Sequence, residues 1–286
     1  MLTMGKEELV QKILQKKREK NAVIMAHNYQ IEPIQLISDY LGDSLGLARK
    51  SAETEADLVV IAGVDFMAET AAMLNPDKKI LLPSEGAECP MASMLPPEKI
   101  RKAKENHPEA VAVVYVNTLA ETRAEADVTC TSSNAVDIVK RLDEEKVIFG
   151  PDQNLASHVE QNTNKEIITV PGDGHCYVHQ KFSVENLTRL KEENPNAVSL
   201  VHPESDPALQ KKADCLCSTG QMVDKVRESD SKKFIIGTEI GMINLLERDF
   251  PNKEFLPLLD DAICKGMKKH SLEKIYESLK DEKYEV

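Results

Sequence analysis

Residues 21–30 read NAVIMAHNYQ, residues 110–119 read AVAVVYVNTL, and residues 196–205 read NAVSLVHPES. Each is a short apolar run that stops on a polar residue, as a strand buried on both faces would. His27, Asn117 and His202 fall at matching places, 90 and then 85 residues apart. A second element recurs further along as LVVIAGVDFMAE, KVIFGPDQNLAS and KFIIGTEIGMIN. Its glycines, Gly63, Gly150 and Gly237, are 87 apart both times, and an acid follows two residues later in each: Asp65, Asp152 and Glu239. A unit of about 87 residues is therefore written three times, a pattern to be read before any single motif.

Within each copy the strand-like runs alternate with helix-like stretches such as SLGLARKSAE and SSNAVDIVKRLDE. That alternation predicts an α/β protein whose parallel sheets are covered on both faces. The units are expected at 1–108 with an N-terminal helix, 109–195, and 196–286 with a C-terminal helix. The proline-marked phrases ENHPEA and EENPNA serve as linkers. Ligands of open α/β sheets gather at the carboxyl ends of the strands. Three copies around a pseudo-threefold axis would aim those ends at one central active site; three domains in a row would each keep their own.

The cysteines favour the first arrangement. Cys89, Cys176 and Cys264 close the stretches KKILLPSEGAEC, EIITVPGDGHC and KEFLPLLDDAIC, 87 and 88 residues apart. Each copy thus supplies one thiol at an equivalent place. Structural zinc takes four ligands, whereas three thiolates without a fourth suit a 4Fe–4S cluster with one iron left open. Such an iron can act as a Lewis acid on substrate oxygens. The Cys215-x-Cys217 pair resembles a metal motif, but Cys217 matches Cys130 at 87 residues and Cys215 has no mate. These three read as small buried strand residues.

The bulk properties narrow the remaining choices. The chain has 286 residues, 41 % apolar and 29 % charged, ordinary for a globular protein. Its net charge of −12 argues against nucleic acid as a partner. No apolar run approaches the roughly 18 residues that would span a bilayer. The opening helix, with Leu9, Val10, Ile13 and Leu14 on one face, is charged elsewhere and unlike a signal peptide. A cytoplasmic protein with reduced thiols is expected.

Polar residues cluster at the same strand ends: His27 with Tyr29, Tyr115 with Asn117, and His202 with Glu204. Histidine can move protons near neutral pH, and a tuned glutamate can act as a base. His179, three residues past Cys176, is placed beside the cluster. Ser44, Ser132 and the Ser218–Thr219 pair stand at predicted helix starts, where hydroxyls cap and where free N–H groups attract anions. Three such helix starts would let an acidic protein hold carboxylates and a phosphate. His107, His158 and His270 read as surface residues.

The stretches MAHNYQ, YVNTLAETRAEADVTCTSSNA, GHCYVHQKF, HPE and GTEIGM resemble the quinolinate synthase A family of NAD biosynthesis, over nearly the whole chain. The resemblance implies three homologous αβα sandwich domains with pseudo-threefold symmetry, and a 4Fe–4S cluster on Cys89, Cys176 and Cys264. It implies condensation of iminoaspartate with dihydroxyacetone phosphate to quinolinate, phosphate and water. It also implies a functional link to an enzyme that produces iminoaspartate, and no membrane partner. His27, Ser44, Tyr115, Asn117, Ser132, His202, Glu204 and Thr219, with Ser218 as an alternative to Thr219, match residues that contact the dicarboxylate. Tyr29 matches a tyrosine implicated in the condensation. Two other readings share the cluster: a different open-iron hydro-lyase, and a non-enzymatic iron–sulfur sensor.

Overall fold

A computed structural model describes residues 5–286. Two compact units divide the chain. One comprises the residues up to Cys89 together with Cys264–Val286; the other is Pro90–Ile263.

The first unit holds one sheet: β1 (Ala22–His27), β2 (Tyr40–Gly42), β3 (Leu58–Ala62) and β4 (Lys79–Leu81), in the order β2-β1-β3-β4. The second unit holds two. They are β5 (Val111–Tyr115), β6 (Val128–Cys130), β7 (Lys146–Gly150) and β8 (Glu166–Thr169), ordered β6-β5-β7-β8, and β9 (Val198–Val201), β10 (Cys215–Leu216), β11 (Lys233–Gly237) and β12 (Glu254–Pro257), ordered β10-β9-β11-β12. Every pairing between these strands is parallel. The three sheets are thus the same sheet three times, as the repeat implies. In each, the central pair is the apolar one: Val59, Val60, Ile148, Phe149, Phe234 and Ile235 have no exposed surface. Burial on both faces explains why these strands are continuous apolar runs without alternation.

Side chains repeat as faithfully as strands. Asp39, Asp127 and Asp214 each accept the backbone N–H of a residue on the neighbouring strand, Ile24, Ala112 and Ser199, all at 2.8 Å. Each aspartate also meets a lysine from the preceding helix: Lys17, Lys104 and Lys191, at 2.6 to 2.7 Å. Lys78, Lys165 and Lys253 likewise donate to main-chain carbonyls near helix ends, those of Ser51 and Thr54, Leu142, and Val226 and Ser229. Exposed ion pairs contribute only about 0.2–1 kcal/mol. The strand burial dominates stability, and the clamps fix where each helix leaves its sheet.

The C-terminal segment, read from sequence as part of the third copy, packs in the first unit. Helix Leu272–Asp281 buries Leu272, Ile275 and Leu279 in one cluster with Leu9 and Ile13 of helix Lys6–Glu19 and with Ile24 and Val60 of the first sheet. Beyond it, Tyr284 and Val286 bond to the edge strand region at Leu82 and Ile80, both at 3.0 Å. The amphipathic opening helix needs an apolar partner, and the last helix supplies it. No helix among the described residues is long and apolar enough to cross a membrane.

His270 differs from the expectation of a surface residue. It is 3 % exposed, with Nδ1 at 2.9 Å from the Ser84 hydroxyl and Nε2 at 2.7 Å from the Gly63 carbonyl. A neutral ring satisfies both, accepting at Nδ1 and donating at Nε2. Burial pushes its pKa down from 6.5 to about 4. The unfolded chain therefore binds the extra proton first, and stability falls as pH drops from about 6.5 towards 4. Between pH 7 and pH 5 urea unfolding of the native chain is expected to lose roughly 2 kcal/mol more than His270→Gln. Equal losses would contradict the buried neutral ring.

Candidate active site

In the first unit, polar groups gather at the end of β1. His27 Nδ1 accepts the Tyr29 N–H at 3.2 Å, so the neutral ring carries its proton on Nε2. The two rings meet edge to face with centroids 4.4 Å apart. The Gln30 side-chain amide donates to the Met267 carbonyl at 2.7 Å, and Lys268 Nζ donates to the Tyr29 carbonyl. These bonds tie the β1 loop to the segment just past Cys264. Gly266 lies so close to the Glu88 carbonyl that a Cβ would stand 2.3 Å from it, which only glycine tolerates. The loops that carry Cys89 and Cys264 therefore adjoin within this unit. Ser44 is half-buried at the start of helix Ser44–Glu53, but the cap is Asp43, which accepts the Gly46 N–H.

In the second unit, polar groups gather around one carboxylate. Glu204, in the turn after β9, is 3 % exposed. The Tyr115 hydroxyl, from the last residue of β5, donates to Glu204 Oε1 at 2.7 Å. His179 Nδ1 lies 2.8 Å from Oε2, and His202 Nδ1 lies 3.9 Å from it. The His179 nitrogen is close without being aligned for a hydrogen bond, so charge holds that contact when the ring is protonated. The His179 and His202 rings stack with centroids 4.7 Å apart, and His179 Nε2 is 2.9 Å from the Thr238 hydroxyl. His202 Nδ1 faces the N–H two residues on at 3.4 Å, as His27 does in the first copy.

Burial alone would raise the Glu204 pKa. The neighbouring His202 and His179, with the Tyr115 hydrogen bond, outweigh it and hold the carboxyl well below the usual range. Asp152 is fully buried nearby, and burial and the Glu204 charge push its pKa well up. Of these two buried carboxyls, Glu204 carries the charge.

Cys176 Sγ, a ring nitrogen of His179 and a carboxylate oxygen of Glu204 all lie within 4.8 Å of one another, close enough to share a metal. The Tyr177 hydroxyl donates to the Ile263 carbonyl at 3.4 Å, tying the Cys176 loop to the residue before Cys264. Cys130 and Cys217 are 1 % and 2 % exposed. Burial pushes both thiols up, Cys217 to about 12, so neither is a ready thiolate. Cys89, Cys176 and Cys264 are half-buried, as is Cys215.

Ser132 and Ser218 line one cleft of about 180 Å³ beside Pro203, which stands between His202 and Glu204 in sequence. Ser218 caps helix Thr219–Glu228 through a capping box with Gln221, and Thr219 is buried in the first turn. Ser132 does not cap. Its helix begins at Ala135 after a turn closed by Asn134, whose side chain accepts the Thr131 N–H. Asn competes for that turn through its own backbone bonds, which a hydroxyl pattern does not announce. Asn117 Oδ1 is buried with no hydrogen-bond partner among the described residues, a polar atom left for something else to satisfy. Sequence reasoning passed over Thr238, which orients His179, and Asn154, whose amide donates to the Glu204 carbonyl at 2.9 Å. Both lie in the repeated GPDQN and GTE segments, the one signal that marks them.

Comparison with known proteins now decides the family. A family model described as Quinolinate synthetase A protein matches residues 11–286. The chain belongs to the quinolinate synthetase A family. It is 53 % identical over 284 residues to the quinolinate synthase of Methanocaldococcus jannaschii, covering 98 % of this chain and 92 % of that one. Against the quinolinate synthase of Thermococcus onnurineus identity is 54 % over 283 residues, 99 % of this chain and 93 % of the relative. Against that of Pyrococcus furiosus it is 51 % over 280 residues, 98 % and 92 %. The quinolinate synthetase A match takes in every site residue described above, from His27 to Cys264.

Because Tyr115 donates to an ionised, buried acceptor, Tyr115→Phe is expected to cost about 1.5–3 kcal/mol of unfolding free energy at pH 7. The loss should shrink only well below the ordinary carboxylate range, where Glu204 gains a proton in the folded chain, first in the variant that lacks the hydrogen bond; the unfolded chains titrate alike. A variant as stable as the native chain in urea at pH 7 would contradict the bond.

Proposed function

We propose that this chain is a quinolinate synthase that condenses iminoaspartate with dihydroxyacetone phosphate, releasing quinolinate, phosphate and water. One 4Fe–4S cluster is held by Cys89, Cys176 and Cys264. The observation that carries the reading is the charged, buried Glu204 with Tyr115 and His179 on its two oxygens, beside a repeat-equivalent thiol. Membership of the family supports the chemistry.

The residues fit such a cluster. The donor set is three thiols at equivalent places in three copies, all partly accessible. Gly266 against Glu88 in one unit, and Tyr177 on Ile263 in the other, hold the flanks of these thiols. Thiolates are the ligands that iron–sulfur clusters take. When bound, the cluster supplies a Lewis acid that polarises substrate oxygens and assists loss of water.

The chain's own groups do the rest. Glu204 stays ionised, with the Tyr115 hydroxyl on Oε1, and keeps the His179 and His202 rings beside it as the groups that move protons to and from substrate. His27 and His202 present N–H donors at Nε2, fixed by the backbone bonds at Nδ1. Tyr29, packed on His27, serves the condensation. Asn117 Nδ2 donates to a substrate carboxylate, and its orphaned Oδ1 accepts from a substrate N–H or O–H. Ser44, Ser132 and the Ser218–Thr219 helix start hold the remaining carboxylate and phosphate oxygens through hydroxyls and free N–H groups. Iminoaspartate hydrolyses in water, so a neighbouring enzyme that produces it is the natural partner. The chain works in the cytoplasm.

Anaerobic protein supplied with oxaloacetate, ammonia and dihydroxyacetone phosphate is expected to form quinolinate. An intact cluster without product would overturn the reading. Serine at Cys89, Cys176 or Cys264 should abolish bound iron and sulfide together. Cys130→Ala and Cys217→Ala should leave both unchanged. One metal ion without sulfide would instead favour a mononuclear site on Cys176, His179 and Glu204.

A further inference from the structure

The repeated acids Asp65 and Asp152 have no role in the chemistry above, yet both are aimed at cysteines. Asp65 Oδ1 accepts the Cys89 backbone N–H at 3.0 Å, and Asp152 Oδ2 accepts the Cys176 backbone N–H at 3.2 Å. We propose that these two aspartates are positioning residues for the cluster, each fixing the peptide of its cysteine 24 residues further on and so the direction in which the thiolate leaves its loop. The inference rests on the cluster assigned to Cys89 and Cys176.

Helix capping alone does not account for the bonds. Asp152 does cap helix Gln153–Asn162, its Oδ1 accepting the Leu155 N–H at 2.7 Å. Asp65 lies inside the first turn of helix Asp65–Leu74, where the capping position is Val64, and its Oδ1 accepts the adjacent Phe66 N–H at 2.9 Å. The local bond differs between the copies; the bond to the cysteine is what they share. Partners that orient metal ligands are built in this way, one shell behind the donor atoms. The bond also withdraws the cysteine N–H from donation to cluster sulfur, a lever on cluster potential.

The two sites use their oxygens differently, and this gives a sharp test. At Asp65 a single oxygen takes both bonds, so Asn can keep them. At Asp152 each oxygen takes one, so Asn must face an N–H with its own NH₂. The full chain is reconstituted anaerobically in native, Asp65→Ala, Asp65→Asn, Asp152→Ala and Asp152→Asn forms. Ser271→Ala serves as a control, because it removes a helix cap in the first unit whose bond, from the Lys274 N–H at 3.3 Å, involves no cysteine. Iron and sulfide content, the electron paramagnetic resonance spectrum after reduction, and the rate of iron loss to a chelator are read, with circular dichroism of the apo forms.

Both alanine variants and Asp152→Asn are expected to lose iron about 10- to 100-fold faster with altered spectra. Asp65→Asn and Ser271→Ala should match the native chain. Native rates and spectra in folded alanine variants would overturn the inference, as would equal behaviour of the two asparagine variants. So would a Ser271→Ala chain that releases iron as fast as the aspartate variants. If an alanine variant fails to fold, the asparagine pair decides alone. A native chain that takes up no cluster overturns the functional reading and this inference with it, whereas an intact cluster indifferent to both aspartates overturns this inference only.

Discussion

A carboxylate as buried as Glu204 has to be paired, because an isolated charge in a protein interior costs several kcal/mol. Its partners come from separate places in the chain: Tyr115 from the end of β5, His179 from the loop after Cys176, and His202 from just past β9. Satisfying this one group draws the polar ends of two sheets together. It also leaves the His179 ring between an acid and the Thr238 hydroxyl. The same pairing that offsets the energetic penalty sets two stacked histidine rings beside an ionised carboxylate. Structure and chemistry here are one requirement met once.

The repeat supplies the scaffold on which that requirement can be met. Identical strand orders place a polar residue at the end of β1 and just past the ends of β5 and β9, where parallel sheets bind ligands. The Lys–Asp clamps hold each preceding helix to the edge of its sheet, so the strand ends keep their places. Glycines then let the cysteine loops approach neighbouring backbone more closely than any side chain would allow. Gly266 does so against Glu88, and Gly174 against Pro151, where a Cβ would stand 1.9 Å from the carbonyl oxygen.

Much of this was legible in the sequence because buried parallel strands leave a continuous apolar signature and a repeat multiplies it. Three sheets and the equivalent cysteines follow from spacing alone, but the polar termini shift by two residues in the second copy: the bonds of Asp39, Asp127 and Asp214 align His27 with Tyr115 and His202, and put Asn117 level with Tyr29 and Glu204. What stayed hidden were contacts between residues far apart with no local pattern. His270 sits on a polar, helix-flanking stretch, and nothing nearby announces Ser84 and Gly63 as its partners. Lys17, Lys104 and Lys191 are spaced 87 apart, but lysines are common enough that the pattern is visible only once their aspartates are seen. The last helix returns to the first unit because Leu272, Ile275 and Leu279 match the face of Leu9 and Ile13, a complementarity that order along the chain conceals. Ser132 was placed at a helix start that the Asn134 turn moves onward.

Anomalous diffraction at the iron edge, from crystals grown without oxygen, would test the account most directly. Iron density bonded by the sulfurs of Cys89, Cys176 and Cys264, with none at Cys130, Cys215 or Cys217, is the predicted result. Iron on Cys176 with His179 and Glu204 alone, or at the Cys215–Cys217 pair, would contradict it.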